Sequence, residues 1–463
     1  MRLSSMKMPN ALVLIFSIMV LSAVMTWLVP AGSFDRTINS DGREVVVDGT
    51  FHHVDAQPQG LFALLQAPLK GIQQTAEIIA FILLVGGVFA IIDKTQVIRA
   101  FIAHSADRMK TAGVWVIPGG MLLFSVFGAV FGMSEEVIPF VLIFIPMAIA
   151  LGYDSIVGVA IPFLGAGFGF AGAMLNPFTI GIAQGIAGLP LFSGMGYRLI
   201  VWGLVTTVGT ALVMRYAARV KRHPESSPVY ELDADRREAV AADRSLTLKF
   251  RHRVILVLFG LTIVTMVIGV MKYHWFIAEI AGLFLGLGLA SGFIARLDAN
   301  TLADTFISGV RDLVGAALVV GFARAILVLA TDGLIIDTLL HNMARVISRL
   351  HPVISAQAMF IVQSVLNFFV PSGSGKAALT MPIMAPLADL IGLSRQTAVL
   401  AYQLGDGLTN MIVPTSGVTM GVLAMAKMPW STWAKWLWPI VLILTVLGCL
   451  LMIPPVLLGY GPF

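Results

Sequence analysis

Apolar residues run along this chain in blocks separated by short polar segments. Crossing a bilayer as a helix takes about twenty residues. Blocks of that length fall near 11–30, 71–92, 156–190, 196–218, 252–271, 276–295, 313–331, 395–426 and 433–457. The pattern predicts nine transmembrane helices. Two more apolar stretches, 112–151 and 353–392, are interrupted midway by small and charged residues and read as re-entrant hairpins. The first block follows Arg2 and Lys7 as a signal sequence would, but its length suits a retained span.

Composition fixes the class. Only 12% of residues are charged, where soluble chains carry about 25%. Hydrophobic residues make up 58%, with 45 Gly and 23 Met. The expected fold class is therefore an all-α polytopic membrane protein, with the lipid bilayer as its surroundings. The net charge of +5 implies no nucleic-acid partner, because Lys and Arg gather between apolar blocks as topology determinants do. A single cysteine, Cys449, cannot build a disulfide framework or a thiolate metal site. His52, His53 and His223 lack ligand spacing, so no metal or cofactor is expected beyond a coupling Na+ or H+.

The segment from Arg215 to Arg253 holds ten Lys or Arg. By the positive-inside rule it is cytoplasmic. Alternation then puts the amino terminus inside, the loop 31–60 outside and the carboxyl terminus on the outer, periplasmic side. Arg345 and Arg349 land on the outer face, against the rule. Segments 95–110 and 334–350 read as interface helices, and 221–250 as a flexible link.

The chain also matches itself at an offset of 240. Pro146 to Gly152 lies on Pro386 to Gly392, Ser134 on Ser374 and Glu136 on Lys376; after a three-residue gap, Asn176-Pro177 lies on Val413-Pro414. The organisation expected is a first helix and outer loop (1–65), a repeat at 66–218 with hairpin 112–151 and broken helix 156–190, a cytoplasmic linker at 219–251, two scaffold helices at 252–307, and a repeat at 308–463 with hairpin 353–392 and broken helix 395–426. One repeat starts outside and the other inside, so they are inverted. Inverted repeats with paired broken helices describe secondary transporters, whose site lies where the repeats meet.

Non-helical backbone at membrane depth must be buried in protein or line a watery cavity, so the breaks mark the site. The first tip reads Gly132-Met133-Ser134-Glu135-Glu136. A membrane carboxylate costs about 2.5–3 kcal/mol unless it is paired, hydrated or protonated. One Glu serving only to pair with Arg324 is the structural alternative. The second tip reads Pro371-Ser372-Gly373-Ser374-Gly375-Lys376 ahead of a helical run, a receptacle suited to a carboxylate. No phosphate loop is present, since the spacing is too short and no strand precedes it. Asn176-Pro177, with Thr179, breaks one later helix. The stretch Gly405-Asp406-Gly407 to Asn410, then Pro414-Thr415-Ser416-Gly417, breaks the other. The alternative for each is a proline kink with its polar groups satisfied internally. The tips and breaks together give the substrate-binding candidates, from Ser134, Glu135 and Glu136 through Asn176 and Thr179 to the Ser372–Lys376 tip and Thr415 and Ser416. Candidates for ion coupling are Ser134, Asn176, Asp406, Asn410 and Thr415. Gly165, Gly167, Gly169 and Gly172 read as a helix-packing stripe.

At these tips and breaks the chain resembles the YfcC-type transporters, grouped with four-carbon dicarboxylate anaerobic carriers and arginine/ornithine exchangers in the ion transporter superfamily. The resemblance covers nearly the whole chain. Better-known branches carry Ser-Asn-Thr at each tip, for carboxylate and sodium. Here Glu135 and Gly375 stand at the Asn position and Glu136 and Lys376 at the Thr position, so sodium coupling does not carry over directly. The resemblance implies an elevator-like motion, a homodimer and the inner membrane of a bacterium.

Charge logic favours a zwitterionic or basic solute such as arginine or ornithine. Ser372, Gly373, Ser374 and Lys376 would hold its carboxylate, and Glu135 or Glu136 its amino or guanidinium group. A four-carbon dicarboxylate, another carboxylate or a neutral peptide is the alternative. An enzyme using Glu135 and Glu136 as acid and base would need a nucleophile, metal or donor motif that the sequence lacks. A carrier or channel for ions alone is the third class.

Overall fold

The computed structural model describes residues 11–38, 44–242, 246–273 and 275–461. Helix α1 (Ala11–Leu28) leads into a loop with two antiparallel ribbons. In one, β1 (Gly32–Ser33) pairs with β4 (His52–His53); in the other, β2 (Arg36–Ile38) pairs with β3 (Glu44–Val46). Helices α2 (Leu61–Gln74) and α3 (Ala76–Lys94) follow, then the 35-residue α4 (Val97–Phe131). The expected interface helix at 95–110 is thus no separate element, because nothing interrupts the helix between it and the hairpin limb.

After α4 the chain breaks at Gly132–Ser134 and resumes as α5 (Ile138–Ala150). The Phe124 ring meets Phe140 at 5.0 Å and Phe144 at 5.6 Å. The chain therefore folds back at that break. Helix α6 (Ser155–Gly172) stops before a π-type turn (Pro177–Gly181) and α7 (Ile182–Ile186). Then come α8 (Met195–Arg222), α9 (Ala234–Ala242), α10 (Phe250–Tyr273) and α11 (Ile277–Ile294). The second half holds α12 (Ala299–Asp332), α13 (Ile336–Ile347) and α14 (Pro352–Phe369). Past a second break the chain folds back as α15 (Gly373–Leu390). Helix α16 (Arg395–Asn410) and α17 (Gly417–Met425) form the second broken helix, followed by α18 (Trp430–Leu451) and α19 (Ile453–Leu457).

Seven helices among the described residues are long and apolar enough to cross a membrane. Nine were expected. The second broken helix is divided into pieces of 16 and 9 residues, whereas Pro352–Phe369, expected as a hairpin limb, has the length and apolarity of a span. Gly405, Asp406 and Gly407 lie inside α16, so the second interruption is only residues 411–416. The two glycines let α16 pack closely, since a β-carbon at Gly405 would lie 2.6 Å from Gln363 Cβ and one at Gly407 2.4 Å from Ala171 Cα, and the helix ends only ahead of Pro414.

The two halves turn alike. Gly152 and Gly392, 240 residues apart, both have positive φ after their helices, at +84° and +73°. Asp154 and Ser394, at the same spacing, then cap α6 and α16 through their side chains. Helices α2 and α3 pack on α12 at backbone contact. A β-carbon at Gly71 would lie 2.2 Å from the carbonyl oxygen of Gly321, and one at Gly309 would lie 2.4 Å from that of Gly86. The small-residue stripe on α6 does the same against α4, where a β-carbon at Gly169 would meet the Ser125 carbonyl.

Segments that alternation assigns to one face meet one another. The loop between α1 and α2 docks on α13: Arg36 pairs with Asp337 at 2.9 Å, and Phe51 stacks on His341 at 4.1 Å. At the opposite end the polar segment after α8 is packed, a correction to the flexible link. Its Ser227 hydroxyl donates to Asp154 at 2.6 Å, and buried Asp233 accepts from the Ser155 amide at 2.7 Å. Arg236 pairs with Asp233 at 2.7 Å and donates to the Ala426 carbonyl. Residues 243–245 of that segment lie outside the described residues.

Candidate functional site

The four interruptions converge. A cavity of about 290 Å³ lies between α2, α3 and α12 on one side and the broken helices on the other. It is lined by Ser134, Glu135 and Glu136 of the first tip, Thr179, Ser372, Gly373 and Ser374 of the second tip, and Asn410, Thr415 and Ser416. Phe163, Phe170, Phe178 and Phe276 supply apolar wall. Ser134 and Ser374 thus share one chamber.

At the first tip Gly132 has φ +68°, a left-handed conformation natural to glycine. Asn176 presses on it: a β-carbon at Gly132 would fall 2.5 Å from Asn176 Oδ1. Asn176 Oδ1 accepts from the Phe178 amide at 2.9 Å, capping the turn after its own break. Asn176 therefore supports the tip from behind and does not line the cavity. The two carboxylates differ. Glu136 is buried and its Oε2 accepts from the Ser134 amide at 2.8 Å, tying the tip closed. Glu135 is half-buried, lines the cavity and has no ion pair among the described residues.

At the second tip Ser372 caps α15, its hydroxyl accepting from the Gly375 amide. The amides of Gly373 and Ser374, at the cavity edge, have no acceptor among the described residues. A helix start of this kind favours an anion. Tyr402 donates to the Gly373 carbonyl at 2.6 Å, and buried Thr179 packs against the same glycine.

Lys376 and Asp406 lie elsewhere. Both are fully buried, and Nζ sits 3.0 Å from Asp406 Oδ1. Lys376 also donates to Asn367 Oδ1 at 3.0 Å and to the Gln363 carbonyl at 3.4 Å. Asp406 Oδ2 accepts from Asn410 at 3.2 Å, and Asn410 Oδ1 from Asn367 at 2.9 Å. This network knits α14, α15 and α16 behind the second tip. Gly375 opens instead on a second cavity of about 450 Å³, lined also by Arg36 and Asp337.

Arg324 lines both cavities, as does Ser372. The Arg324 Nε donates to Gln74 Oε1 at 2.9 Å, and no carboxylate pairs with it among the described residues. No Glu of the first tip serves as its counter-ion. Arg324, Gln74 and Thr75 were not among the candidate residues, although a lone arginine inside the apolar block 313–331 was the signal.

The freed backbone is answered by side chains. Trp433 and Trp430 of α18 donate to the carbonyls of Met411 and Ile412 at 2.9 and 2.8 Å, and Thr419 donates to that of Asn410. In the first half, buried Arg198 serves the carbonyls of Met174, Phe192 and Ser193, and Gln403 that of Phe170. Each would otherwise cost several kcal/mol in a dry environment.

Residues 8–456 match the family of C4-dicarboxylate anaerobic carriers. The chain is 37% identical to YfcC of Escherichia coli strain K12, whose description proposes basic amino acid antiport, over 98% of this chain and 97% of that one. It is 29% identical to an uncharacterized protein of Haemophilus influenzae, over 97% and 96% of the two chains. Among solved structures it is similar to the YdaH transporter of Alcanivorax borkumensis, with a TM-score of 0.41 and 17% identity over 98% of this chain and 100% of that one. It is likewise similar to MtrF of Neisseria gonorrhoeae, described within a class of antimetabolite efflux pumps, with a TM-score of 0.42 and 17% identity over 98% and 96%.

Proposed function

The chain belongs to the C4-dicarboxylate anaerobic carrier family, and on that premise we propose that this multi-pass membrane transporter carries a zwitterionic or basic amino acid of the arginine and ornithine kind. It is a transporter and not an enzyme. One observation carries the reading of its solute: a single chamber holds a carboxylate, Glu135, and a guanidinium, Arg324, neither of which has a counter-ion among the described residues. Opposite charges sharing one cavity suit a solute carrying both. The solute carboxylate is held by Arg324 and the free amides of Gly373 and Ser374, with Ser372 and Ser374 hydroxyls beside them. Glu135 takes the amino or guanidinium group, while Glu136 holds the tip and Thr415, Thr179 and Asn410 supply oxygens. Lys376 takes no direct part.

The second reading is a four-carbon dicarboxylate. It is favoured by Arg324 sharing the cavity with an anion-binding helix start, and it requires Glu135 to be protonated or bridged by a cation. In either case the two helix–break–helix tips act as re-entrant hairpins of inverted repeats. The transporter works as an elevator-like homodimer in a bacterial inner membrane, amino terminus inside and carboxyl terminus outside, by exchange or by coupling to Na+ or H+.

Counterflow in proteoliposomes, with labelled arginine, ornithine, lysine, succinate and fumarate, separates the readings. Arginine or ornithine counterflow without uptake of succinate supports the first. Succinate or fumarate counterflow alone overturns it, and ion flux without any organic solute overturns both.

A further inference from the structure

The surroundings of Lys376 are those of a metal-like cation rather than of a surface lysine. Its ammonium is fully buried, and the three atoms within hydrogen-bond reach are all oxygens: a carboxylate (Asp406 Oδ1, 3.0 Å), a side-chain amide (Asn367 Oδ1, 3.0 Å) and a backbone carbonyl (Gln363, 3.4 Å), with the Tyr402 ring centroid 5.4 Å away on another side. Carboxylate, amide and carbonyl oxygens are the ligands that hold small hard cations; here the carbonyl comes from the interior of α14 and the two side-chain oxygens from α14 and α16. The lysine arrives from an unfavourable place. It lies in the first turn of α15, where the free amides already present partial positive charge. A positive side chain there is repelled by its own helix start, so helix stability does not explain it. Nor does packing alone, since a buried ion pair is often matched or bettered by apolar residues of the same shape.

We infer that Lys376 is a tethered substitute for a coupling cation, its ammonium filling an alkali-metal position formed by Asp406, Asn367 and Gln363. The charge that a free ion would bring to the second tip is built into the chain. This protein then carries no sodium at that break, and its transport is driven by exchange or by protons. The consequence for coupling rests on the transport reading above, whereas the cation position itself does not.

The test therefore measures ion binding without any organic solute. Thermal unfolding of the purified full-length protein in detergent is followed in LiCl, NaCl, KCl or NH4Cl against choline chloride at matched ionic strength. The wild-type midpoint is expected to be the same in all. Lys376→Ala empties the oxygen cage, and its midpoint is expected to rise saturably with one small cation, by about 2 °C at ten times the dissociation constant. The double variant Lys376→Ala, Asp406→Asn is expected to lose that response. The inference is overturned if Lys376→Ala gains no ion response, or gives no folded protein in any of these salts. It is equally overturned if the wild type shows a saturable sodium shift that Asp406→Asn removes. Failure of the amino-acid reading would appear in counterflow and leave these midpoints unmoved.

Discussion

Arg324→Ala removes the one cation that faces the chamber without an anionic partner among the described residues. Its Nε is already used by Gln74 at 2.9 Å, which fixes the plane of the guanidinium and leaves both terminal nitrogens for a ligand. A carboxylate held by that fork gains two charge-assisted hydrogen bonds, each contributing about 1.5–3 kcal/mol in protein sites. The side chain is only half-buried, so solvent weakens the pair. A net loss of about 2–3 kcal/mol is the reasonable expectation, a rise of about 30- to 150-fold in half-saturation. Arg324→Lys keeps the charge without the fork and should fall between. Gln74→Ala frees the guanidinium to wander and should cost only a few-fold. The assay is counterflow of labelled arginine and succinate at varied concentration, with the amount of inserted protein matched by quantitative blotting. Unchanged half-saturation for every carboxylate-bearing solute in Arg324→Ala refutes the assignment.

Other perturbations divide the site further. Glu135→Gln should abolish counterflow of basic solutes, while Glu136→Gln, which keeps an oxygen to accept from the Ser134 amide, should retain a substantial fraction; equal loss in the two would argue that both carboxylates hold solute. Trp433→Phe orphans the Met411 carbonyl and should destabilise by about 1–3 kcal/mol, read as a lower unfolding midpoint, and a wild-type midpoint would mean that water or another donor serves that carbonyl. Asp233→Ala removes the acceptor of the Ser155 amide, so limited proteolysis should cut residues 224–242 faster than in the wild type; an unchanged rate would show that Ser227 and Arg236 suffice to hold the segment.

Much of this arrangement is legible in the chain because membrane solvent is strict. Gly132, Pro177 and Pro414 stand out where an apolar block should be uniform, and each does lie at or beside an interruption. The destinations of charged side chains are less legible. Periodicity says that Lys376 lies near the second tip but not that it turns inward to Asp406, because that depends on how α14 and α16 pack. The sequence match at 240 residues likewise set Asn176 against Val413, whereas the capping side chains Asn176 and Ser416 have the spacing of 240 without a gap. Capping chemistry identifies equivalent positions where apolar composition blurs them. The sequence leaves Arg324 between pairing with a tip Glu and facing the cavity, since a single arginine in a span has many structural uses, and only its two cavities single it out.

The packed segment after α8 has a mechanical meaning. Through Asp233 it grips Ser155, at the start of the first broken helix, and through Arg236 it grips Ala426, at the close of the second. One short strap thus gears the two halves together at that end. The strap acts beside direct ties between the broken helices, such as that of Gln403 on α16 to the Phe170 carbonyl of α6, so severing it is expected to loosen the two halves at that end alone.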